Sequence, residues 1–173
     1  PAVSNWAAWQ ITKALGISQL NHSARFELAQ PMYNLTKRQA EVEILPMAAS
    51  EQMGIIPYSP LGGGLLSGKY GSGSRPETGC LVENSMYMKR YGRNDYYDIA
   101  ERFTAYASER SIHPTTLAVA WVGSHPAVTA PIIGARNVEQ LEPSLAASNF
   151  KMTAEMRNEI TALTPEIAPA HDR

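Results

Sequence analysis

The chain has 173 residues, which is long enough for one domain with a sizeable core. Its formal net charge is −1, and it has one cysteine, Cys80. With 15 basic against 16 acidic residues and no basic stripe, the sequence excludes a typical nucleic-acid-binding protein. No apolar run approaches the roughly 20 residues of a membrane span, and a lone cysteine cannot form an intrachain disulfide, so we expect a cytoplasmic protein without a membrane partner.

The first predicted elements are a short strand and a helix. Ala2-Val3 is a short apolar segment, and Ser4-Asn5 after it predicts the cap of a helix from Trp6 to Leu15. Gly16 is expected to end that helix, because glycine is typical of the position just past a helix end.

The strand and helix pattern then repeats. Strand ends near Ser4, Gln30 and Tyr58 lie 26 and 28 residues apart, with a helix expected in each interval. This spacing predicts repeated strand–helix units and therefore a parallel sheet. The elements are a strand from Arg25 to Gln30, a helix from Lys37 to Leu45 capped by Thr36, a helical piece from Pro46 to Met53, and a strand from Ile55 to Tyr58.

A long segment from Gly71 to Asn94 breaks this rhythm, and loops of that length are usually functional or mobile. Its tyrosines with Met86 and Met88 predict a partly apolar pocket wall, with core packing or plain disorder as the alternatives. The remaining elements are helices over 95–110 and 115–123, a strand over 130–133, helices over 138–147 and 153–163, and a loose tail over 164–173.

Polar residues follow each of the four predicted strands. Because ligands of parallel α/β folds bind at the carboxyl ends of the strands, this pattern predicts one ligand site there. The run from Tyr58 to Tyr70 adds three consecutive glycines, which allow backbone N–H groups to approach a phosphate. The alternative for the glycine run taken alone is a flexible surface turn.

Five motifs, in this order and spacing, resemble the second half of an aldo-keto reductase. They are Val3-Ser4-Asn5-Trp6, Gln30-Pro31-Met32-Tyr33-Asn34-Leu35, Tyr58-Ser59-Pro60-Leu61 with its glycines, Ala118-Val119-Ala120-Trp121-Val122, and Ile132-Ile133-Gly134-Ala135-Arg136-Asn137. The resemblance implies a (β/α)8 TIM barrel, an α/β fold that holds NADPH in an extended form. Residues 1–163 would supply about half of this barrel, its units five to eight, with parallel strands and flanking helices.

The resemblance also implies roles for individual residues. Ser4, Asn5 and Gln30 would hold the nicotinamide carboxamide, since amide and hydroxyl side chains both donate and accept hydrogen bonds. Tyr58 would stack on the nicotinamide ring. The pyrophosphate loop would be Ser59, Leu61, Gly63 and Leu65, and the loop around the adenosine and its 2′-phosphate would be Gly134, Ala135, Arg136, Asn137 and Gln140.

Several of these residues have a structural alternative that the sequence leaves open. Asn5 can simply cap a helix, Gln30 can bond to loop backbone, and Tyr58 can be a core residue. The spacing of Asn137 and Gln140 fits a capping box, and an isolated arginine such as Arg136 is most often a solvated surface charge.

The sequence departs from the family pattern in two places. Pro143 and Ser144 stand where the family often has Glu-Asn against the adenine, and Pro143 implies that its helix starts late or is distorted. The family's catalytic Asp, Tyr, Lys and His belong to units one to four, so no residue of this chain is assigned to catalysis. The four histidines His22, His113, His125 and His171 are scattered and show no metal-ligand spacing, so no metal site is expected either.

Three functions therefore remain open. The first is the cofactor-binding part of an NADPH-dependent oxidoreductase acting on a small aldehyde or ketone, truncated so that it lacks the N-terminal units with the catalytic residues. The second is a non-catalytic nucleotide-binding or self-assembling half barrel, and the third is an open α/β sheet for another phosphate ligand. Because a half barrel leaves sheet edges open, we expect pairing with a missing N-terminal half, with a second chain or with another copy.

Overall fold

The computed structural model describes residues 1–170 and contains a three-stranded parallel sheet in the order β1-β2-β3. The strands are β1 (Ala2–Ser4), β2 (Leu28–Gln30) and β3 (Gly54–Ile55). Ser4 lies opposite Gln30, and Ala29 lies opposite Ile55. The predicted parallel sheet is confirmed, and its register aligns the carboxyl ends of β1 and β2.

Helices flank this sheet and account for most of the regular structure. Helices are α1 (Ala8–Leu20), α2 (Ile44–Ser50), α3 (Cys80–Glu83), α4 (Ser85–Tyr91), α5 (Asn94–Glu109), α6 (Pro114–Gly123), α7 (Val138–Leu145) and α8 (Ala154–Thr161), with 3-10 turns at Gln39–Glu41, Leu65–Ser67 and Ala146–Asn149. The four predicted helices of the second half are confirmed as α5 to α8. In residues 1–170 no helix combines the length and the apolar character that crossing a membrane requires.

The prediction for the ends of α1 was wrong at both ends. Asn5 has a left-handed backbone with φ of +58° and does not cap the helix. Ala7 is the cap residue instead, and its N–H donates to the Gln10 side chain at 2.9 Å. The helix continues through Gly16 because Leu15 and Ser18, on either side of it, are buried against the core. This burial outweighs the roughly 1 kcal/mol that glycine costs inside a helix.

The helix predicted from Lys37 to Leu45 is also absent from the described structure. The Thr36 hydroxyl and N–H donate to the Asn34 Oδ1 at 2.9 and 3.1 Å, so Thr36 is part of a turn. A 3-10 turn follows, and α2 begins only at Ile44. Pro46 is accommodated in the first turn of α2, where its missing N–H needs no partner.

The segment 130–133 lies beside β3 without forming the predicted strand. The Thr129 N–H donates to the Ile55 carbonyl at 2.8 Å, and the Ile132 N–H donates to the Pro57 carbonyl at 2.8 Å. Pro57 has no N–H with which to donate in return, so the ladder is one-sided. The segment nevertheless occupies the fourth position beside the sheet.

Pro143 neither delays nor prevents its helix. Helix α7 begins at Val138 as the sequence predicts, and Pro143 lies inside it. The Asn137 side chain accepts the Gln140 N–H at 2.9 Å and caps the helix. On the other side the Pro143 carbonyl accepts the Thr116 hydroxyl of α6 at 2.6 Å, which fixes α7 against α6.

The core is a single cluster between the sheet and helices α5 and α6. Every residue of α6 from Thr115 to Val122 is buried, and the Trp121 ring packs against Tyr33 with centroids 5.3 Å apart. The long segment 71–94 joins this cluster through Leu81 and Tyr91, both fully buried. Of the alternatives for its side chains, core packing therefore applies to Tyr91, whereas Met86 and Met88 are exposed.

Candidate functional site

Four of the predicted site residues form one hydrogen-bonded chain at the carboxyl ends of the strands. The Tyr58 hydroxyl donates to the Asn5 Oδ1 at 2.7 Å, and the Asn5 Nδ2 donates to the Ser4 Oγ at 3.1 Å. The Ser4 hydroxyl lies 3.1 Å from the Gln30 carbonyl and 3.3 Å from the Gln30 Oε1. We call this group the amide cluster. It contains two amides and two hydroxyls and no charged side chain.

The backbone explains why these side chains meet. The register of β1 and β2 places Ser4 opposite Gln30. The chain then turns sharply, because Asn5, directly after β1, has φ of +58°, and Ser59, four residues after β3, has φ of +57°. Asparagine tolerates this left-handed region better than most residues, whereas serine needs support from its surroundings. The structural alternative in which Asn5 caps α1 is thus wrong.

The glycine run forms a tight loop after Ser59. Gly62, Gly63 and Gly64 all have positive φ, at +58°, +69° and +93°. A Cβ added to Gly63 would lie 2.6 Å from the Tyr87 Cδ1, and one added to Gly62 would lie 3.4 Å from the Tyr91 Cε1. The loop is packed from one side by α4, so it is a defined structure and not a flexible surface turn.

Alternate N–H groups of this loop are free to bind a ligand. Within residues 1–170, the N–H groups of Ser59, Leu61 and Gly63 donate to no acceptor. The Leu65 N–H differs, since it donates to the Gly62 carbonyl at 3.3 Å and closes the loop. Free N–H groups in a loop that contains left-handed residues can bind an anion.

Lys69 adds a positive charge beside this loop, and the sequence analysis did not assign it. Its Nζ lies 3.9 Å from the position that a Cβ on Gly64 would occupy. A basic residue so soon after the glycines was the available signal, since a cation beside free N–H groups favours phosphate.

The second predicted group surrounds the start of α7. Gly134, Ala135, Arg136, Asn137 and Gln140 are all exposed. The Gln140 Oε1 accepts the Arg136 N–H at 3.3 Å, so Asn137 and Gln140 do act in helix initiation as the structural alternative expects. The Arg136 guanidinium makes no hydrogen bond or ion pair within residues 1–170. No hydrogen bond connects this group to the amide cluster in that range.

A cavity of about 680 Å³ lies between α6 and α7 and the segment 131–133. It is mostly apolar, and its lining includes Val119, Ile133, Leu145 and Phe150. The Ser144 hydroxyl is buried at this cavity and has no hydrogen-bond partner among the described residues. Ser144, which stands where the family often has the Asn of Glu-Asn, therefore lines this cavity.

The described residues offer no further ionic centre at these strand ends. Within residues 1–170 no group of three or more histidine, cysteine, aspartate or glutamate side chains could hold a metal ion. Burial raises the pKa of Tyr91, which keeps this phenol neutral behind the glycine loop. The chemistry available at the strand ends is thus hydrogen bonding, ring stacking and anion binding.

Comparison with known proteins identifies relatives over almost the whole chain. Oxidoreductase YrpG of Bacillus subtilis, described as uncharacterized, is 31% identical over 166 residues, covering 94% of this chain and 48% of that protein. A probable voltage-gated potassium channel subunit beta of Arabidopsis thaliana is 32% identical over 149 residues, covering 83% of this chain and 45% of that protein. Aflatoxin B1 aldehyde reductase member 2 of Rattus norvegicus is 32% identical over 164 residues, covering 84% and 44%.

The chain thus spans about half the length of the curated relatives it matches. A family model described as "Aldo/keto reductase family" matches residues 2–165. Because this match includes the strands, the glycine loop and the start of α7, the protein belongs to the aldo/keto reductase family.

Proposed function

We propose that this chain is the cofactor-binding part of an NADPH-dependent oxidoreductase that reduces a small aldehyde or ketone. Membership of the aldo/keto reductase family and the oxidoreductase names of relatives support the reaction class. The (β/α)8 barrel of that family is consistent with the parallel sheet, which we take as part of such a barrel. The observation that carries the proposal is the amide cluster at the carboxyl ends of the strands.

The residues of the amide cluster fit a nicotinamide. A carboxamide presents two N–H donors and one carbonyl acceptor, and the Asn5 and Gln30 side chains present the same groups in return. The Ser4 hydroxyl lies between them and both donates and accepts. The Tyr58 ring, held at its hydroxyl by Asn5, offers an apolar face for stacking.

The glycine loop fits the pyrophosphate. We assign the free N–H groups of Ser59, Leu61 and Gly63 to its oxygens, with Lys69 as the neighbouring cation. Leu65 contributes by closing the loop from within. Arg136, whose guanidinium is free in the described structure, suits the 2′-phosphate that distinguishes NADPH from NADH. The exposed neighbours Gly134, Ala135, Asn137 and Gln140 would surround the adenosine.

Bound NADPH would supply a hydride for the carbonyl carbon, while the carbonyl oxygen gains a proton. This chain's residues would hold the nicotinamide with one face toward the substrate. The catalytic Asp, Tyr, Lys and His, with the Tyr as the proton donor, would come from four preceding strand–helix units. These units would belong to the same polypeptide or to a second chain. We propose that these four preceding units pack against the exposed edges of the sheet.

A second candidate is a non-catalytic nucleotide-binding module that assembles with other chains. Large apolar side chains are exposed on the flanking helices, among them Trp9 at 65% and Leu20 at 82% on α1 and Val138 at 68% on α7. These exposed apolar side chains are available for contact with another chain. A relative described as a potassium channel subunit beta is compatible with this role.

Titration of the purified chain with NADPH, followed by the fluorescence of the nucleotide, tests the proposal. We expect saturable binding, and at least about tenfold weaker binding by an Asn5→Leu variant, because the amide cluster loses its central hydrogen bonds. A Lys13→Ala variant, changed at an exposed position of α1, serves as the control and should bind like the wild type. A folded chain that binds no nicotinamide nucleotide would contradict the proposal.

A second assay separates the two candidates. Material that contains both this chain and the preceding units is mixed with NADPH and an aromatic aldehyde, and loss of NADPH absorbance is followed. The oxidoreductase predicts turnover that Asn5→Leu lowers, whereas the non-catalytic module predicts binding without turnover.

A further inference from the structure

Asn34 is a fully buried residue whose side-chain amide donates two hydrogen bonds and accepts two. It is 0% exposed. Its Nδ2 donates to the Ser59 carbonyl at 2.8 Å and to the Tyr91 hydroxyl at 3.1 Å. Its Oδ1 accepts the N–H and the hydroxyl of Thr36, so the amide is held in one orientation. Neither the family resemblance nor the proposed cofactor contacts assign a role to this residue.

The bond to Ser59 acts on the turn that begins the glycine loop. The Ser59 carbonyl also accepts the Gly62 N–H at 3.0 Å, which closes that turn. One carbonyl thus receives two donors, as its two lone pairs allow. Ser59 itself has the left-handed φ of +57° that serine rarely adopts, so the turn depends on such outside support.

The second donated bond ties the same amide to the long segment 71–94. Tyr91 lies on α4, and its ring contacts the position of a Cβ on Gly62 at 3.4 Å. Its hydroxyl in turn lies 3.3 Å from the Met32 Sδ. Asn34 therefore joins three parts of the chain: the connection after β2, the glycine loop and α4.

We propose that Asn34 is a positioning residue for the nucleotide phosphates. By holding the Ser59 carbonyl inward, it keeps the N–H groups of Ser59, Leu61 and Gly63 directed outward toward the ligand. This inference rests on the proposed function, since it assigns those N–H groups to the pyrophosphate. Asn34 acts through the backbone of the loop and does not contact the ligand itself.

The two protons of the Asn34 amide allow a matched pair of variants. Asn34→Asp keeps the size of the side chain and the acceptor for Thr36, but it removes the donor to Ser59 and places a carboxylate oxygen against the Ser59 carbonyl oxygen. Tyr91→Phe removes the other acceptor and leaves the ring on Gly62 and the bond to Ser59 in place. Both changes lower stability, so the thermal midpoint does not separate the roles, whereas nucleotide affinity does.

The experiment measures the dissociation constant of NADP⁺, which unlike NADPH is stable in acid, by calorimetry on the purified chain. Near neutral pH we expect Asn34→Asp to bind about tenfold more weakly, a change of about 1.4 kcal/mol, and Tyr91→Phe to bind within about twofold of the wild type. Equal losses in both variants would show a merely structural role and overturn the inference.

Acid provides a second readout. A buried carboxyl has a raised pKa, so the carboxyl that Asn34→Asp introduces should protonate at about pH 5–6, and its O–H can then donate to the Ser59 carbonyl. The affinity of this variant, relative to wild type, should recover on acidification. Tyr91 is the titratable side chain in contact with position 34, and burial raises its pKa, so it stays neutral over this range. A constant ratio of affinities between neutral and acid pH would contradict the proposed donation.

The outcomes separate this inference from the proposed function. A folded wild-type chain that does not bind NADP⁺ overturns the proposed function. Wild-type binding that Asn34→Asp matches within about twofold overturns the positioning role alone. If Asn34→Asp does not fold, Thr36→Val removes one of the two donors that orient the amide. It should weaken binding about threefold, and unchanged binding would overturn the inference.

Discussion

Replacement of Gly63 by alanine tests the structure of the glycine loop most directly. Gly63 has φ of +69°, and a Cβ at this position would lie 2.6 Å from the Tyr87 Cδ1. The left-handed backbone costs alanine about 1 kcal/mol, and displacing the Tyr87 ring costs about 2 kcal/mol as for other overpacked sites. We therefore expect Gly63→Ala to lower the free energy of unfolding by about 3 kcal/mol.

Urea unfolding followed by circular dichroism measures this loss, and thermal unfolding should show a midpoint about 6–12 °C lower for a chain of this size. Gly16→Ala is the matched control, because Gly16 lies inside α1 and an added Cβ meets nothing within 4 Å. It should raise the free energy of unfolding by about 0.5–1 kcal/mol. Wild-type stability of Gly63→Ala would refute the loop geometry, and a loss in Gly16→Ala would refute the course of α1.

A double-mutant cycle separates the two costs at Gly63. The Tyr87 ring stacks on Tyr91 with centroids 6.4 Å apart, so Tyr87→Ala is itself destabilising. Combined with Gly63→Ala, however, it removes the steric conflict and leaves only the backbone cost. We expect a favourable coupling energy of about 1–2 kcal/mol, measured from the four unfolding free energies. Strict additivity would show that the Tyr87 ring does not oppose a side chain at position 63.

Three further predictions concern the ligand site and acid stability. Arg136→Ala should weaken NADPH by at least about tenfold while leaving NADH nearly unchanged in the same fluorescence titration, because only NADPH carries the 2′-phosphate; equal losses would remove Arg136 from that role. Tyr58→Ala should weaken both nucleotides about tenfold through lost stacking, with the far-ultraviolet dichroism unchanged, and unaltered affinity would exclude Tyr58 from the site. For Glu41, burial acts to raise the carboxyl pKa, but hydrogen bonds from Arg38 and Tyr33 outweigh it and hold the pKa below the ordinary 4.5. The stability that ionised Glu41 contributes is complete above pH 4.5 and is lost as pH falls through the lowered folded-state pKa. The unfolding free energy of Glu41→Gln should therefore fall less steeply with decreasing pH than that of the wild type. Urea unfolding that gives the same pH dependence for both proteins would contradict this.

The sequence predicted those features that local chemistry controls. The regular spacing of the strand ends indicated the parallel sheet, and the capping-box spacing of Asn137 and Gln140 indicated the start of α7. The order of the motifs indicated the family, which the match over residues 2–165 confirms. These signals consist of short motifs and of their order and spacing along the chain, so the linear sequence contains them.

Where burial or a distant partner decides the conformation, the sequence was insufficient. Gly16 reads as a helix end, yet the buried residues around it continue α1 to Leu20. The segment 130–133 reads as a strand, but the missing N–H of Pro57, more than 70 residues earlier, leaves its ladder one-sided.

The candidate site shows the same division. Ser4, Asn5, Gln30 and Tyr58 could be named from the sequence, because each follows a predicted strand. Their connection into one chain required the register of β1 and β2 and the left-handed turn at Asn5. The role proposed for Asn34 depends on the tertiary structure, since its side-chain amide donates to Ser59 and Tyr91, 25 and 57 residues away. A hydrogen bond between such distant residues leaves no periodic or local trace in the sequence.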